Sequence, residues 1–416
     1  MTQAFIIQLA ACRKILLLQG PIGAFFQHLS AWLQQGGSLV YKINFQGGDE
    51  WDYPKHLGQT FAYTGKVSDF DAYFANFVQE HQIDAVVCHG DTRIYHKIAK
   101  TICQQQNISF WAFEEGYYRP FWVTLEKDGV NDFSSLPKDI AFFQAAAPNF
   151  PIKKYQKATD IKGGFFPIAK AAIVHYVAMQ IRKKQYPNYQ HHRETQLWYY
   201  IKSWIRALWR KKWYQYKEAS IAEKIENGNI QSFFILPLQV ATDSQIHTHS
   251  NFSSMQECLL EVMQSFAQHA PKHCQLIVKH HPMDRGFTSY RRVIDRFIAQ
   301  NPDVFGRIIY VHDITLPTLM RKAIGMVTIN STSGMSAMLH KLPVKVIGRA
   351  HYDMQGLTDQ QPLSTFWQNP VAPDMQAVYD FRLYHINYTQ LAGSFYHKVK
   401  LPDNPYQKNH SGSLKQ

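Results

Sequence analysis

The feature that most constrains this chain is an alternation, repeated in both halves, of short apolar runs with stretches of helical periodicity. In the first half, Ile15–Leu18, Leu39–Ile43, Ile83–Cys88 and Ile108–Phe113 are separated by helix-period patterns near Phe25–Gln34, Phe70–His81 and Tyr95–Gln106. In the second, Phe233–Leu236, Leu276–Val278, Ile308–Val311, Met326–Ile329 and Val344–Ile347 alternate with helical stretches near Met255–Gln268, Tyr290–Ala299, Leu316–Lys322 and Met335–His340. This is the βαβ rhythm of an α/β protein with parallel sheets. A chain of 416 residues is long enough for two such cores, so two Rossmann-like, doubly wound lobes are expected.

In such sheets ligands bind beyond the carboxyl ends of the strands, and a cleft between two lobes is the natural site. The unusual polar clusters fall just there: Gln19-Gly20-Pro21, His89-Gly90-Asp91, Glu114-Glu115-Gly116, Gln239 to Gln245, Lys279-His280-His281-Pro282 and Asn330-Ser331-Thr332-Ser333. Asn330 to Ser333 stand where a strand gives way to a helix, so hydroxyl donors join unpaired N–H groups and the positive dipole end; this is an anion cradle or an ordinary serine cap. His281 beside Pro282 can offer an imidazole hydrogen bond to a phosphate or base, and Lys279 adds positive charge.

Phe113-Glu114-Glu115-Gly116-Tyr117-Tyr118-Arg119-Pro120 sets two carboxylates and an arginine around a glycine turn. A carboxylate here can act as base or nucleophile and Arg119 can grip an acidic substrate, or the pair can brace the turn. Asp91, before Arg93, is a substrate-orienting group or a helix cap. Gln19 and Gly20 allow close approach of a ligand, and Asp243 or Gln245 is a candidate to reach the cleft. The histidine pairs His280/His281 and His247/His249 lack metal-site spacing, so no metal is expected.

The formal charge of +13 is concentrated in one segment: from Lys153 to Lys224 there are sixteen Lys and Arg against four carboxylates. Within it Leu197, Ile201, Trp204, Ile205 and Leu208 mark one apolar helix face, Lys202, Arg206 and Arg210 another, and Trp198, Trp209 and Trp213 lie alongside. Such a helix suits an anionic membrane surface, while a connecting helix packed on a lobe and a nucleic-acid surface are the competing readings. No nucleic-acid reading module is present, so nucleic acid is not an expected partner. The apolar stretch near Ala171 to Ile181 is too short to span a bilayer, and residues Met1 to Leu18 read as a lead-in to the first strand. Five cysteines without paired spacing fit a reducing compartment, and the polar tail from about Pro402 is expected to be disordered.

Taken with Asn44-Phe-Gln-Gly-Gly-Asp49, Thr124-Leu-Glu126 and Gly129-Val-Asn131, the clusters Gln19-Gly-Pro21, His89 to Arg93, Phe113 to Pro120, Lys279 to Pro282 and Asn330 to Gly334 give a resemblance across most of the chain. The sequence resembles the capsule polysaccharide biosynthesis proteins of the KpsS/LipB type. That resemblance implies a retaining β-Kdo transferase of GT-B-like architecture, Kdo being the acidic sugar ketodeoxyoctulosonic acid. It implies CMP-β-Kdo as donor, a phosphatidylglycerol lipid as acceptor, no cofactor, and a product that starts the poly-Kdo linker of Gram-negative capsule. The implied location is cytoplasmic, on the inner face of the cytoplasmic membrane, with other capsule assembly and export proteins as further partners.

Carried onto this chain, the resemblance implies an acceptor and catalytic lobe at residues 1–150, with Glu115 as first-choice carboxylate, then Glu114 and Asp91. Gln19, Gly20, Arg93, Arg119, Asp243 and Gln245 would meet substrate. A basic helical connector at 151–228 would face lipid. A lobe at 229–375 would hold CMP through Lys279, His281, Pro282, Asn330, Ser331, Thr332 and Ser333, and residues 376–416 would form a C-terminal helix and tail. Retention calls for a carboxylate opposite the leaving group. Related chain-extending enzymes carry Asp-Gly where this chain has Glu115-Gly116, which leaves open whether Glu115 attacks carbon or takes a proton. The alternative is a non-enzymatic membrane-peripheral scaffold of the same assembly.

Overall fold

A computed structural model describes residues 4–118, 121–150, 165–191, 197–230 and 232–407. The chain opens with α1 (Ala4–Ala10), β1 (Lys14–Leu17), α2 (Phe25–Gln35), β2 (Leu39–Asn44), α3 (Gly47–Asp52) and β3 (Gln59–Ala62). It continues through α4 (Phe70–Glu80), β4 (Ala85–His89), α5 (Ile94–Gln105), β5 (Ser109–Glu115), β6 (Trp122–Lys127), α6 (Ile140–Ala146), α7 (Phe165–Ile181) and α8 (Leu197–Glu226). Next come β7 (Phe233–Pro237), α9 (Ser244–Thr248), α10 (Met255–His269), β8 (Gln275–Lys279), α11 (Arg291–Gln300), β9 (Ile308–Val311), α12 (Leu316–Met320), β10 (Gly325–Thr328), α13 (Ser333–Leu339) and β11 (Val344–Val346). The last elements are α14 (Leu363–Phe366), α15 (Met375–Tyr388) and β12 (Gln390–Ala392).

The chain divides into two units. Unit 1 is Met1–Ser135, Asn149–Thr195 and Leu383–Gln416; unit 2 is Leu136–Pro148 and Gln196–Arg382. Each is built on a doubly wound sheet, as the apolar rhythm predicts. In unit 1 the strand order is β12-β6-β5-β4-β1-β2-β3, with β1 to β5 parallel and β6 and β12 antiparallel at one edge. In unit 2 the order is β11-β10-β7-β8-β9, all parallel. The direction of winding reverses between β1 and β4 in one sheet and between β7 and β10 in the other, which is where such sheets open toward a ligand.

The cores differ in character. Unit 1 packs aromatic rings, among them Tyr41, Phe45, Tyr63, Phe70, Phe74, Phe77 and Tyr95. Unit 2 sets Phe234, Leu236, Val278 and Val327 of the sheet against Leu259, Val262, Met263 and Phe266 of α10. That helix begins with a capping box: Ser254 accepts from the Glu257 N–H at 3.1 Å, and the Glu257 carboxylate reaches back to the Ser253 N–H at 2.7 Å.

The lead-in to β1 takes the form of α1. Two expectations about the segments beyond the lobes are corrected. The anticipated connector at 151–228 is not one piece, because α7 belongs to unit 1 and α8 to unit 2, and the C-terminal segment returns to unit 1 through β12. The tail is ordered further than its polarity implies: the Trp32 indole donates to the Pro402 carbonyl at 2.7 Å and the Asn404 amide to the Trp32 carbonyl at 2.8 Å.

The most consequential correction concerns α8. Its packed side is Ser203, Ala207, Arg210, Tyr214 and Glu218, spaced four, three, four and four residues apart on one face. Ser203 and Ala207 close on Gly286, whose missing side chain makes room, and Arg210 donates to the Arg285 carbonyl at 2.7 Å. Arg210 therefore turns inward. The apolar residues Trp198, Ile205, Leu208, Trp209, Trp213 and Tyr216 point away and are 49 to 84% exposed. The reading in which this stripe packs on a lobe is thereby overturned for these residues.

The glycines of Asn44-Phe-Gln-Gly-Gly-Asp49 also find their reason, since α3 lies against α7. A Cβ on Gly47 would stand 2.5 Å from the Ala178 carbonyl oxygen, and one on Gly48 2.6 Å from that of His175. Around this contact His175 meets Asp52 at 2.6 Å and Arg182 meets Glu50 at 2.9 Å. Backbone cannot yield as a flexible side chain can. Gly48→Ala is therefore expected to destabilise the protein by about 1–3 kcal/mol, read as a lowered urea midpoint with an unchanged far-ultraviolet spectrum.

Candidate functional site

In unit 1 the candidate residues gather at the carboxyl ends of β1, β4 and β5. Gly90 ends β4 in a left-handed turn (φ +73°), and a side chain there would lie 3.6 Å from the Arg93 Nε and 3.7 Å from the Glu114 Oε2. Arg93 and Glu114 thus flank the same turn. The Arg93 guanidinium also lies 3.2 Å from the His89 Nδ1, and the His96 Nδ1 lies 2.6 Å from the Gly90 carbonyl. Buried and held neutral, His96 has its pKa pushed down to about 3, first by desolvation and then by the nearby Arg93 charge.

The two motif carboxylates are both partly exposed. Glu114 accepts the Glu115 N–H at 3.1 Å; burial first, then the charges of Glu115 and Asp91, lift its carboxyl to about 7 against the pull of that N–H and of Arg93. Glu115 is partly exposed and pairs with Val123 across the β5–β6 hairpin. Gly116 permits that hairpin to close, because a side chain there would run into the Trp122 backbone.

Asp91 is recast. It is 1% exposed, accepts the Val130 N–H at 3.0 Å and has its pKa raised by burial, while the cap position of α5 is taken by Arg93. It is enclosed rather than beside an open surface. Gln19 is buried and donates to the Tyr189 hydroxyl at 3.0 Å; Tyr189 in turn stacks on Tyr95 at 5.9 Å. The backbone at Gly20 passes tightly over Phe26, where a side chain would approach the ring to 2.8 Å. Arg119 lies outside the described residues.

In unit 2 the clusters after β7, β8 and β10 come together, but several members serve the fold. Asn330 is 3% exposed; its amide donates to the carbonyls of Gln245 at 3.0 Å and His249 at 3.3 Å and accepts from Gln239 at 3.0 Å. Asp243 caps α9 by accepting the Gln245 N–H at 3.0 Å. Lys279 is 5% exposed and donates to the His280 carbonyl at 3.0 Å and the His312 carbonyl at 2.7 Å; burial, then Arg285, lowers its pKa to about 8. These three hold loops in place, contrary to the ligand-facing roles expected of them, because buried polar groups must find partners within the protein.

What remains presented in unit 2 is smaller. The His281 Nδ1 accepts the Met283 N–H at 3.2 Å with Pro282 opening the turn, so a neutral ring carries its proton on Nε2 as a donor. Ser331 accepts from the Ser333 N–H at 3.2 Å and hydroxyl at 2.9 Å, while Thr332 starts α13 without a side-chain cap. The Tyr352 hydroxyl holds the Ser331 carbonyl at 2.6 Å. With seven residues, α13 has a weaker dipole than a long helix offers.

Sequence reasoning missed Tyr189 and the Glu218 clamp. Glu218 accepts the backbone N–H of His312 at 2.7 Å and of Asp313 at 2.8 Å, and its neighbour Tyr214 stacks on His312 with ring centroids 3.6 Å apart. No local motif marks Glu218 in a basic helix; only its spacing from Ser203, Ala207, Arg210 and Tyr214 could have.

Against this geometry the comparisons are specific. The sequence model of the family described as capsule polysaccharide biosynthesis protein matches residues 84–396. The chain belongs to that family. It is 46% identical over 395 residues to the capsule polysaccharide modification protein LipB of Neisseria meningitidis serogroup B, covering 95% of this chain and 94% of that protein. It is 38% identical over 384 residues to the capsule polysaccharide export protein KpsS of Escherichia coli, covering 92% and 97% respectively. Among solved structures, the β-Kdo 2,7 transferase KpsC of Thermosulfurimonas dismutans is similar at 11% identity and a TM-score of 0.37, covering 83% of this chain and 99% of that one.

Within this family member Glu126 gives a test of the buried electrostatics beneath the site. It is fully buried on β6, and desolvation, helped by the Asp91 charge, lifts it from the usual 4.5 to about 8. The folded state holds this proton more tightly than the unfolded chain, so stability falls as pH rises from about 4.5 to about 8 and is level above. Glu126→Gln is expected to flatten that slope, gaining roughly 2 kcal/mol or more relative to wild type between pH 5 and pH 8 in urea melts.

Proposed function

We propose that this capsule polysaccharide biosynthesis protein is a retaining β-Kdo transferase that moves Kdo from CMP-β-Kdo to a phosphatidylglycerol lipid, starting the poly-Kdo linker of the capsule. The observation that carries the reading is the pairing, on unit 1, of two adjacent carboxylates, one of them lifted in pKa, with a guanidinium on the same turn. Glu114 is lifted to about 7, and Glu115 follows it at the end of the strand. A carboxyl whose pKa lies near neutrality can donate or accept a proton there. Glu115 would act on the anomeric carbon as nucleophile or on the acceptor hydroxyl as base, and Arg93, with Arg119, would hold the sugar's carboxylate.

For the donor, the His281 Nε2–H and the Ser331 to Ser333 turn are the groups of unit 2 suited to a cytidine monophosphate, with Asn330 and Lys279 holding the loops behind them. The charge to be met is a single phosphodiester, which hydrogen-bond donors can hold, so the proposal calls for no metal or other cofactor. The lipid acceptor fits the outward face of α8, where Trp209 and Trp213 stack at 5.9 Å among Lys202, Arg206 and Lys212. Among the described residues no helix is long and apolar enough to cross a membrane, and peripheral attachment at the inner face, beside other capsule proteins, is the corresponding location.

The test is direct. Purified protein supplied with CMP-Kdo generated in place and a fluorescent phosphatidylglycerol should yield a Kdo-bearing lipid, and Glu115→Gln should reduce turnover by about 100-fold or more while calorimetry shows CMP still bound. A wild-type protein that binds neither CMP nor CMP-Kdo would instead be the scaffold, and unchanged turnover in Glu115→Gln would remove that residue from the chemistry.

A further inference from the structure

Helix α7 presents a second surface that the transferase reading does not use. Its sequence, Phe-Phe-Pro-Ile-Ala-Lys-Ala-Ala-Ile-Val-His-Tyr-Val-Ala-Met-Gln-Ile, is apolar on nearly every side. A helix of that composition in a globular protein is normally enclosed. One side is: His175 and Ala178 lie against Gly48 and Gly47 of α3, and Met179 is buried with them. The other side carries Ile173, Val177 and Ile181 at successive turns, exposed by 44%, 40% and 76%. Three branched aliphatic side chains in one line, on a helix already apolar, form a ridge that needs a cover.

Charge says what kind of cover. From Ile161 to Arg193 the sequence contains no carboxylate, while Lys170 stands on the ridge side of α7 and Arg182, Lys183 and Lys184 follow its end. At the other end, Ala171 walls a cavity of about 190 Å³ whose polar side chains include His28, His397 and Lys398 and no acid. An apolar ridge flanked by Lys170, Lys183 and Lys184, with Arg182 paired to Glu50, matches a surface that is hydrocarbon beneath and anionic above. A protein partner would need an apolar groove rimmed with acid, a far narrower match.

We infer that α7 is a membrane foot on unit 1: Ile173, Val177 and Ile181 enter the acyl boundary of an anionic phospholipid surface while Lys170, Lys183 and Lys184 engage its headgroups. This deepens the peripheral location proposed above and rests on that reading only in taking the covering surface to be lipid. Because α8 exposes its own aromatic face from unit 2, the two helices, consecutive in the chain, attach each unit separately. Two tethered contacts multiply rather than add, so removing either should weaken attachment sharply.

The experiment is vesicle co-sedimentation of the full chain without donor, using phosphatidylcholine vesicles with and without phosphatidylglycerol. Wild type should bind the anionic vesicles preferentially. Ile173→Ser/Val177→Ser/Ile181→Ser should lower its partition coefficient by roughly ten-fold or more, and Trp209→Ser/Trp213→Ser should do likewise through unit 2. The conservative set Ile173→Leu/Val177→Leu/Ile181→Leu should retain binding, and thermal melts should match wild type because the altered side chains face outward. Undiminished binding in the serine set overturns the inference, as does a wild-type dimer in analytical ultracentrifugation that the serine set converts to monomer, which would make the ridge a contact between copies. Kdo transfer is not read in this assay, so loss of the transferase reading and loss of the membrane foot give separate results.

Discussion

The carboxylate of Glu218 decides which way the longest helix faces. By accepting two backbone N–H groups at the end of β9 it fixes α8 to the sheet of unit 2 along a polar side, and Arg210 and Ser203 extend the same seam. Burial pushes such a carboxyl up, yet the bonds from His312 and Asp313 more than offset this and leave it below its usual range. A helix held by its polar side must show its apolar side outward. The exposed tryptophans are therefore a consequence of an interior hydrogen-bond network rather than of an unfilled core.

The same network reaches the turn that bears His281. Lys279 joins the carbonyls of His280 and His312, and Arg285 binds the Asp313 carboxylate at 2.7 Å, so the loops after β8 and β9 are tied to each other as well as to α8. A loop fixed by buried charges can hold a hydrogen-bond donor in one orientation, which favours recognition of a rigid anionic group over a flexible one. The groups read at first as ligand-binding are thus the reason that the remaining ones can be.

The sequence made the parallel strands legible because β4, β7 and β10 are continuous apolar runs that only a sheet covered on both faces accommodates. It did not reveal β3, whose residues are half-exposed, or β12, which pairs with β6 across most of the chain length. Periodicity located the apolar stripe of α8 but not its orientation, since a stripe is the same pattern whether it meets a core or a lipid; the deciding residues were polar and spaced among the others. The carboxylates of the Glu-Glu-Gly motif were legible as neighbours at the end of a strand, whereas the withdrawal of Asp91, Asn330 and Lys279 into the fold follows from burial, which no local spacing encodes.

Unit 1 concentrates its acids where water is scarce. Asp91, Glu114 and Glu126 are all raised in pKa by desolvation, and the Asp91 charge raises the other two, so Glu114 and Glu126 keep protons to higher pH than they would in water. Such an arrangement opposes folding above the carboxylate range, and a fold carries that burden only where the strained groups have other work. Arg93 bears on the point: its charge lowers the Glu114 pKa, so a bound anion that neutralised the guanidinium would raise it further. An anion bound to Arg93 would thus keep Glu114 more fully protonated, while making it a weaker acid.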